Sequence, residues 1–124
     1  MAGTRLSISA DNGVLGLSTY RNSALQATKQ AVTTTKARLY GLHVYNPNAT
    51  DAFLQLYDAA SAAVTVGTTT PTATFWIPAL SGLDDQNFTI PTEYNTAIVV
   101  AATTTIGGST NPTTGLLVNL FYRD

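Results

Sequence analysis

Cysteine is absent from this chain of 124 residues, histidine occurs once, and only 10% of the residues carry a charge. Without cysteine the chain has no disulfide, no thiolate metal site and no cysteine nucleophile. Six basic and seven acidic residues give a net charge of -1, and the basic residues are scattered along the sequence. Because phosphate backbones are bound by basic patches, we expect no nucleic acid partner.

Long hydrophobic runs are also absent. The longest, Ala97 to Ala102, is far shorter than the roughly 20 residues that a membrane-spanning helix needs. The N-terminal stretch MAGTRLSISADNG shows no charged region followed by an apolar one, which a secretory signal requires. We therefore expect a soluble chain with no membrane partner, and one domain overall, because this is a typical domain length.

Residues that could carry enzyme chemistry are scarce as well. His43 is the only imidazole, and a lone histidine beside a leucine and a tyrosine is typical of a packing or interface residue. Asp84 and Asp85 are adjacent, so in an extended chain their side chains point apart instead of converging on one bond. The segment DDQN offers oxygen ligands for calcium, but its spacing favours a solvated turn. We predict no catalytic residue, no metal site and no cofactor, and hence no enzyme.

Threonine makes up about a sixth of the chain, and its stiff β-branched side chain favours strands. Only Ser23 to Ala31 has a composition that also suits a helix, and we favour a strand there. Eight or nine short strands indicate an all-β fold, a two-sheet antiparallel β-sandwich. The candidate strands are Arg5 to Ala10, Val14 to Tyr20, Leu25 to Thr34, Arg38 to Tyr45, Ala52 to Ala59, Ala73 to Pro78, Phe88 to Ile90, Thr96 to Thr104 and Gly115 to Tyr122.

Turn residues separate these strands. The clearest turn signals are Asn46-Pro47-Asn48, Gly67 to Pro71, Ser81-Gly82 and the long stretch from Gly107 to Gly115, where Gly, Asn and Pro supply the backbone angles that turns need. Between the turns, several strands are apolar on both faces, including Ala52 to Ala59. A two-layer sandwich would leave such a face exposed, and we expect subunit association to cover it.

Trp76 is the only tryptophan, and with Phe75 and Tyr94 it could form a stacking platform for a sugar. The pattern favours a different interpretation, in which the aromatic ring lies in the core or in a subunit contact. A carbohydrate-binding sandwich module remains the alternative function from another class.

Four segments of the chain resemble small structural proteins of tailed bacteriophage particles. They read HVYNPNATDAFLQLYDAA, VTVGTTTP, FWIPA and GLLVNLFY, and the resemblance spans about Arg38 to Tyr122. Its motifs are packing signals of a β-sandwich and include no catalytic or ligand residue. The resemblance implies a jelly-roll-like sandwich incorporated into the virion, at the capsid surface, after assembly in the host cytoplasm.

The role that this resemblance implies is a capsid decoration (cement) protein, commonly a homotrimer, that bridges neighbouring major capsid subunits. A structural protein of the tail, neck or baseplate is the alternative within the same class, and the carbohydrate-binding module would then lie on a tail fibre. The expected partners are therefore further copies of this chain and the major capsid protein.

The first 36 residues lie outside the resemblance. We expect residues 1–36 to hold an N-terminal arm and the first strands, and residues 37–124 to form the sandwich core. The arm region is low in charge and rich in strand formers, and we hypothesise that part of it pairs with a neighbouring subunit or with the capsid by strand addition. The candidate contact residues are Val14, Leu15, Leu17, Tyr20, His43 and Tyr45.

Overall fold

The computed structural model describes residues 16–85 and 88–124, and these residues form two antiparallel β-sheets packed face to face. One 3₁₀ turn, Ser61–Ala63, is the helical element of the described chain. The strands are β1 Ser18–Leu25, β2 Gln30–Ala31, β3 Ala37–Asn46, β4 Ala52–Asp58, β5 Ala73–Ile77, β6 Ser81–Asp85, β7 Thr92–Tyr94, β8 Ile98–Thr103 and β9 Leu116–Arg123.

The larger sheet has the strand order β1-β9-β3-β6, with β7 also paired to β3, and the smaller sheet has the order β2-β8-β4-β5. The antiparallel pairs are nested: β1 pairs with β9, β2 with β8, β3 with β6 and β4 with β5. A long hairpin rolled onto itself gives this order, which is that of a jelly roll. The predicted all-β, jelly-roll-like sandwich is therefore confirmed.

The core lies between the two sheets and consists of the inward-facing residues of every long strand. Leu42 and Val44 on β3 and Leu54 and Leu56 on β4 belong to this one cluster, and all four side chains are fully buried. Alternate residues of a strand point to opposite faces, and the buried side of β9, and of β3 from Leu42 onward, follows this period. Leu39 is buried as well, because the register shifts between Leu39 and Gly41. Each buried side chain of this size contributes about 1.5–3 kcal/mol to stability.

A second apolar cluster lies on the outer face of the smaller sheet. It contains Tyr57 of β4 and Val99 and Ala101 of β8, and Val64 from the connection between β4 and β5 packs onto them. The ammonium group of Lys29 donates hydrogen bonds to the carbonyl oxygens of two residues in this connection. Over Tyr57, the chain's own 59–66 segment therefore supplies the cover that we expected from subunit association. The association itself stays a prediction.

Several predicted boundaries are also wrong. The Ser81-Gly82 turn and the solvated turn at Asp84 belong to β6, which becomes a strand because β3 supplies its hydrogen-bonding partner. Residues Phe88 to Ile90 form no strand; β7 follows them instead.

The predicted strand Leu25 to Thr34 is reduced to the end of β1 and the two residues of β2, and the alternative helix over Ser23 to Ala31 does not form. Within the region 1–36, the described part therefore supplies edge strands to both sheets. The predicted strand Arg5 to Ala10 lies outside the described residues, as does the start of the predicted strand Val14 to Tyr20.

Candidate functional site

The outer face of the larger sheet carries apolar and aromatic side chains. Tyr45 on β3 lies opposite Leu117 on β9, and Phe121 lies opposite Gly41. Tyr45 is 41% exposed, while Leu117 and Phe121 are half-buried. All three lie outside both apolar clusters that the described residues form. The outer face of the larger sheet therefore carries apolar side chains that the described residues do not pack into either cluster.

His43 lies in a polar row across the same face. Its cross-strand neighbours are Asn119 on β9 and Asp84 on β6, neither of which carries a hydroxyl or a thiol. The imidazole Nδ1 is shielded from solvent and lies 3.3 Å from Asp84 Oδ1, in a geometry that does not align as a hydrogen bond. The two side chains remain 41% and 53% exposed. His43 thus sits beside the apolar patch as a partly exposed polar residue.

The other predicted contact residues take different positions. Leu17, just before β1, is 44% exposed. Tyr20 packs against the core, and its hydroxyl accepts a hydrogen bond from the amide of Asn22. Val14 and Leu15 lie outside the described residues. The structure therefore places His43 and Tyr45 together on one outer face, and it directs Tyr20 away from that face.

The turn after β3 organises one end of the sandwich through Asn46. Its side chain is fully buried, and its amide nitrogen donates to the carbonyls of Thr50, Ile77 and Pro78 at 2.9, 3.1 and 3.3 Å. Its amide oxygen accepts hydrogen bonds from the backbone and the side chain of Asn48. Asn46 thereby joins the β3–β4 turn to the end of β5.

Asn48 extends this network to the loop before β9. Its side chain donates to the carbonyl of Thr114 and accepts from the backbone N–H of the same residue, at 2.8 and 2.7 Å. Two of the loops at this end are thus fixed to the Asn46-Pro47-Asn48 turn. The predicted turn is confirmed, and its role is to hold neighbouring loops in place.

Trp76, on β5, points to the outer face of the smaller sheet and is 60% exposed. Trp76 therefore does not lie in the core, and the other half of the prediction, a subunit contact, stays a prediction. The indole N–H donates to Asp51 Oδ2 at 3.1 Å, and the other oxygen of Asp51 accepts the backbone N–H of Ala79 at 3.0 Å. Leu80, next in the chain, is 63% exposed and has a positive φ of 53°. A leucine is strained in this backbone conformation, and its exposed side chain gains little burial energy in return.

The opposite end of the sandwich is held by Asp58. Its carboxylate accepts the backbone N–H groups of Asn95 and Thr96 at 2.9 and 2.8 Å. Burial raises the pKa of this carboxyl, but these backbone hydrogen bonds and one from Ala97 outweigh it, and the net pKa is lowered. Burial, and then the charge of Asp58, raises the pKa of Tyr94 to about 12. These groups stabilise the loop between β7 and β8.

A shallow cleft of about 90 Å³ lies where β3, β7 and β9 meet, and three of the chain's basic side chains line it. Arg38 lies opposite Arg123 on β9 and Glu93 on β7. The Arg38 Nε atom is 4.0 Å from the Glu93 carboxylate, and both side chains are at least half exposed, so this pair contributes little to stability.

The part of the chain that the structure describes contains neither a candidate metal site nor a candidate membrane-spanning helix. Residues 16–85 and 88–124 contain no group of three or more histidine, cysteine or acidic residues arranged for a metal ion. No helix among them has the length and apolar character to cross a membrane.

Sequence reasoning missed the long-range hydrogen bonds of Asn48 and Asp51 and the cover by residues 59–66. Asn48 belongs to an ordinary turn signal and Asp51 follows it closely, and a turn signal does not reveal which distant residues it bonds to. A search against protein-family models, curated proteins and solved structures finds no match to this chain.

Proposed function

We propose that this protein is a structural component of a virion, of the capsid decoration (cement) type, that bridges major capsid subunits. The observation that carries the proposal is the apolar and aromatic row on the outer face of the larger sheet. Residues 59–66 pack onto Tyr57 and Val99 of the smaller sheet, whereas neither apolar cluster of the described residues includes Tyr45, Leu117 or Phe121. An apolar face of this kind marks a protein contact.

The scarcity of charge supports the same function. Only 10% of the residues are charged, so adhesion would rest on apolar burial and backbone hydrogen bonds, which salt screens weakly. A cement protein stabilises the particle by mass action, because it binds assembled subunits and not separated ones. Such a role requires contact residues and no catalytic group.

The decisive experiment adds purified chain to particles assembled without it and measures bound copies by mass spectrometry. Tyr45→Lys should lower the amount bound at least tenfold, since it places a charge in the contact. Ala62→Lys, an exposed position on the segment that covers the smaller sheet, is the matched control and should bind normally. Equal binding of both variants would contradict the assignment of the contact face.

Electron microscopy of the same particles locates the chain. Density at capsid lattice positions supports decoration, whereas density at the tail, neck or baseplate supports the alternative structural role. Particles that keep the chain in 1 M NaCl would agree with apolar adhesion, and release by salt alone would overturn it.

The arm hypothesis can be tested without damaging the sandwich. Because β1 begins at Ser18, removal of residues 1–15 leaves this edge strand intact. We expect the truncated chain to lose trimer formation or capsid binding, measured by light scattering and by the particle assay. A truncated chain that still does both would refute an arm.

The exposure of Trp76 favours one second candidate, a carbohydrate-binding module. The indole ring is open to solvent, and the Asp51 carboxylate that orients it is also a suitable acceptor for sugar hydroxyls. Binding on a glycan array that disappears with Trp76→Ala would favour this function. No glycan binding, together with a trimer in solution, would favour the structural role.

A further inference from the structure

The open sheet edges of the sandwich differ in how well they are protected against further strand pairing. Edge strands are commonly blunted by charge, shortness or an irregular register. In the described chain, β1 carries Arg21 and a register shift, β2 has two residues, β6 carries Asp84, and β7 has three residues including Glu93. The strand β5, Ala73–Ile77, has none of these features.

The sequence of β5, ATFWI, contains no charged residue, and its pairing with β4 runs over five consecutive partners without a shift. Its other edge pairs with no strand of the described residues. Trp76 stands beside this edge with most of its side chain in solvent. An uncharged, regular and aromatic edge is a template for strand addition.

We propose that β5 accepts residues 5–10 of a neighbouring copy of this chain as an added strand. This inference rests on the proposed assembly function and identifies the surface that receives the arm. The segment RLSISA alternates Leu6, Ile8 and Ala10 with two serines and contains no proline, which suits a strand with one face against a partner. The seven residues from 11 to 17 span up to about 25 Å when extended, enough to reach an adjacent subunit.

The donor segment and the acceptor edge are different surfaces of one chain. A contact of this kind is head-to-tail, and it closes into a ring when the rotation between copies allows it. The expected homotrimer is such a ring, in which every copy donates one segment and accepts one. Each β5 then has its open edge paired, and no unprotected edge remains among the described strands.

The test uses full-length chains with one defect each. Trp76→Lys places a charge on the acceptor strand, and Ile8→Lys places one in the donor segment. Either variant should raise the dissociation constant of the trimer by roughly tenfold or more, measured by light scattering over a dilution series. Thr92→Lys, the same charge at an exposed position of β7, is the matched control and should leave the trimer unchanged.

Mixing the two defective chains gives the sharpest result. Trp76→Lys retains an intact donor and Ile8→Lys retains an intact acceptor, so together they have one functional contact. We expect a one-to-one dimer from the mixture, and monomers from each variant alone. Because Trp76 is the only tryptophan, its emission in the Ile8→Lys chain should shift to shorter wavelength on mixing, as the indole becomes covered.

A monomeric native chain, a trimer that survives both substitutions, or a mixture without dimers would each overturn the inference. Circular dichroism of the variants separates loss of contact from loss of folding, and Ile8→Lys lies before the first strand of the described sandwich. Two measurements distinguish the two proposals, trimer formation by Trp76→Lys and capsid binding by Tyr45→Lys. If Trp76→Lys still forms trimers while Tyr45→Lys does not bind capsids, strand addition fails and the decoration function stands.

Discussion

Replacing Asn46 with alanine should destabilise the sandwich more than replacing any exposed asparagine. Asn46 is fully buried, and its amide nitrogen approaches three carbonyl oxygens with only two hydrogens to share. The longest approach, 3.3 Å to Pro78, is therefore the weakest. Its oxygen accepts two further hydrogen bonds, both from Asn48. The substitution removes the equivalent of four hydrogen bonds, which are buried or partly buried.

The magnitude follows from the net value of a hydrogen bond, about 1 kcal/mol each, and hence about 4 kcal/mol in total. The buried N–H of Asn48 and the carbonyl of Ile77 are left without this partner, and alanine is too small to fill the space. A loss of this size should lower the melting temperature by about 15 °C for a chain of this length.

Urea and thermal unfolding, followed by circular dichroism, measure this effect. Asn111→Ala is the graded control, because Asn111 accepts one exposed hydrogen bond, from the backbone of Ala27, and should cost about 1 kcal/mol or less. If Asn46→Ala costs no more than Asn111→Ala, the network does not hold the loops together and the reasoning is wrong.

Three further outcomes follow from single positions. Gly115→Ala should lower the free energy of unfolding by about 3 kcal/mol or more, since the new Cβ would lie 2.3 Å from the backbone carbonyl carbon of Ala24. Gly107→Ala should lower it by about 1–2 kcal/mol, because a Cβ there meets nothing within 4 Å but the φ is 67°. Equal melting temperatures of the two variants would contradict this ranking. The pKa of Asp58 is lowered in the fold from its ordinary value of 3.8, so its carboxylate stabilises the fold above pH 3.8, and this stability is lost as the pH falls through the folded pKa. Unfolding measured from pH 7 to pH 2 should therefore show a smaller loss of stability on acidification in Asp58→Asn than in the native chain. Leu80→Asn should raise the free energy of unfolding by about 0.5–1 kcal/mol, because asparagine tolerates positive φ better than leucine, and a clear loss in denaturant unfolding would refute strain at this position.

The sequence alone determined the fold class and the strands that cross the core. In β9, and in β3 from Leu42 onward, buried residues alternate with more exposed ones at period 2, as predicted. This works because a half-buried strand must place alternate side chains in different environments. Leu39, predicted on the face opposite Leu42, is also buried, because the register shifts between Leu39 and Gly41. The Asn46-Pro47-Asn48 turn was likewise predictable, since its residues specify the local backbone.

Tertiary structure alone decided the rest. The strand β6 looks like a solvated turn in sequence, since its aspartate and glycine residues disfavour strands, and it forms because β3 offers it a hydrogen-bonding partner. The cover over Tyr57 and Val99 comes from a segment whose composition predicts only a loop. The exposure of Trp76 depends on β5 being an edge strand. Periodicity encodes which side of a strand is apolar, but whether that side meets its own chain, solvent or a partner is fixed by contacts between residues distant in sequence.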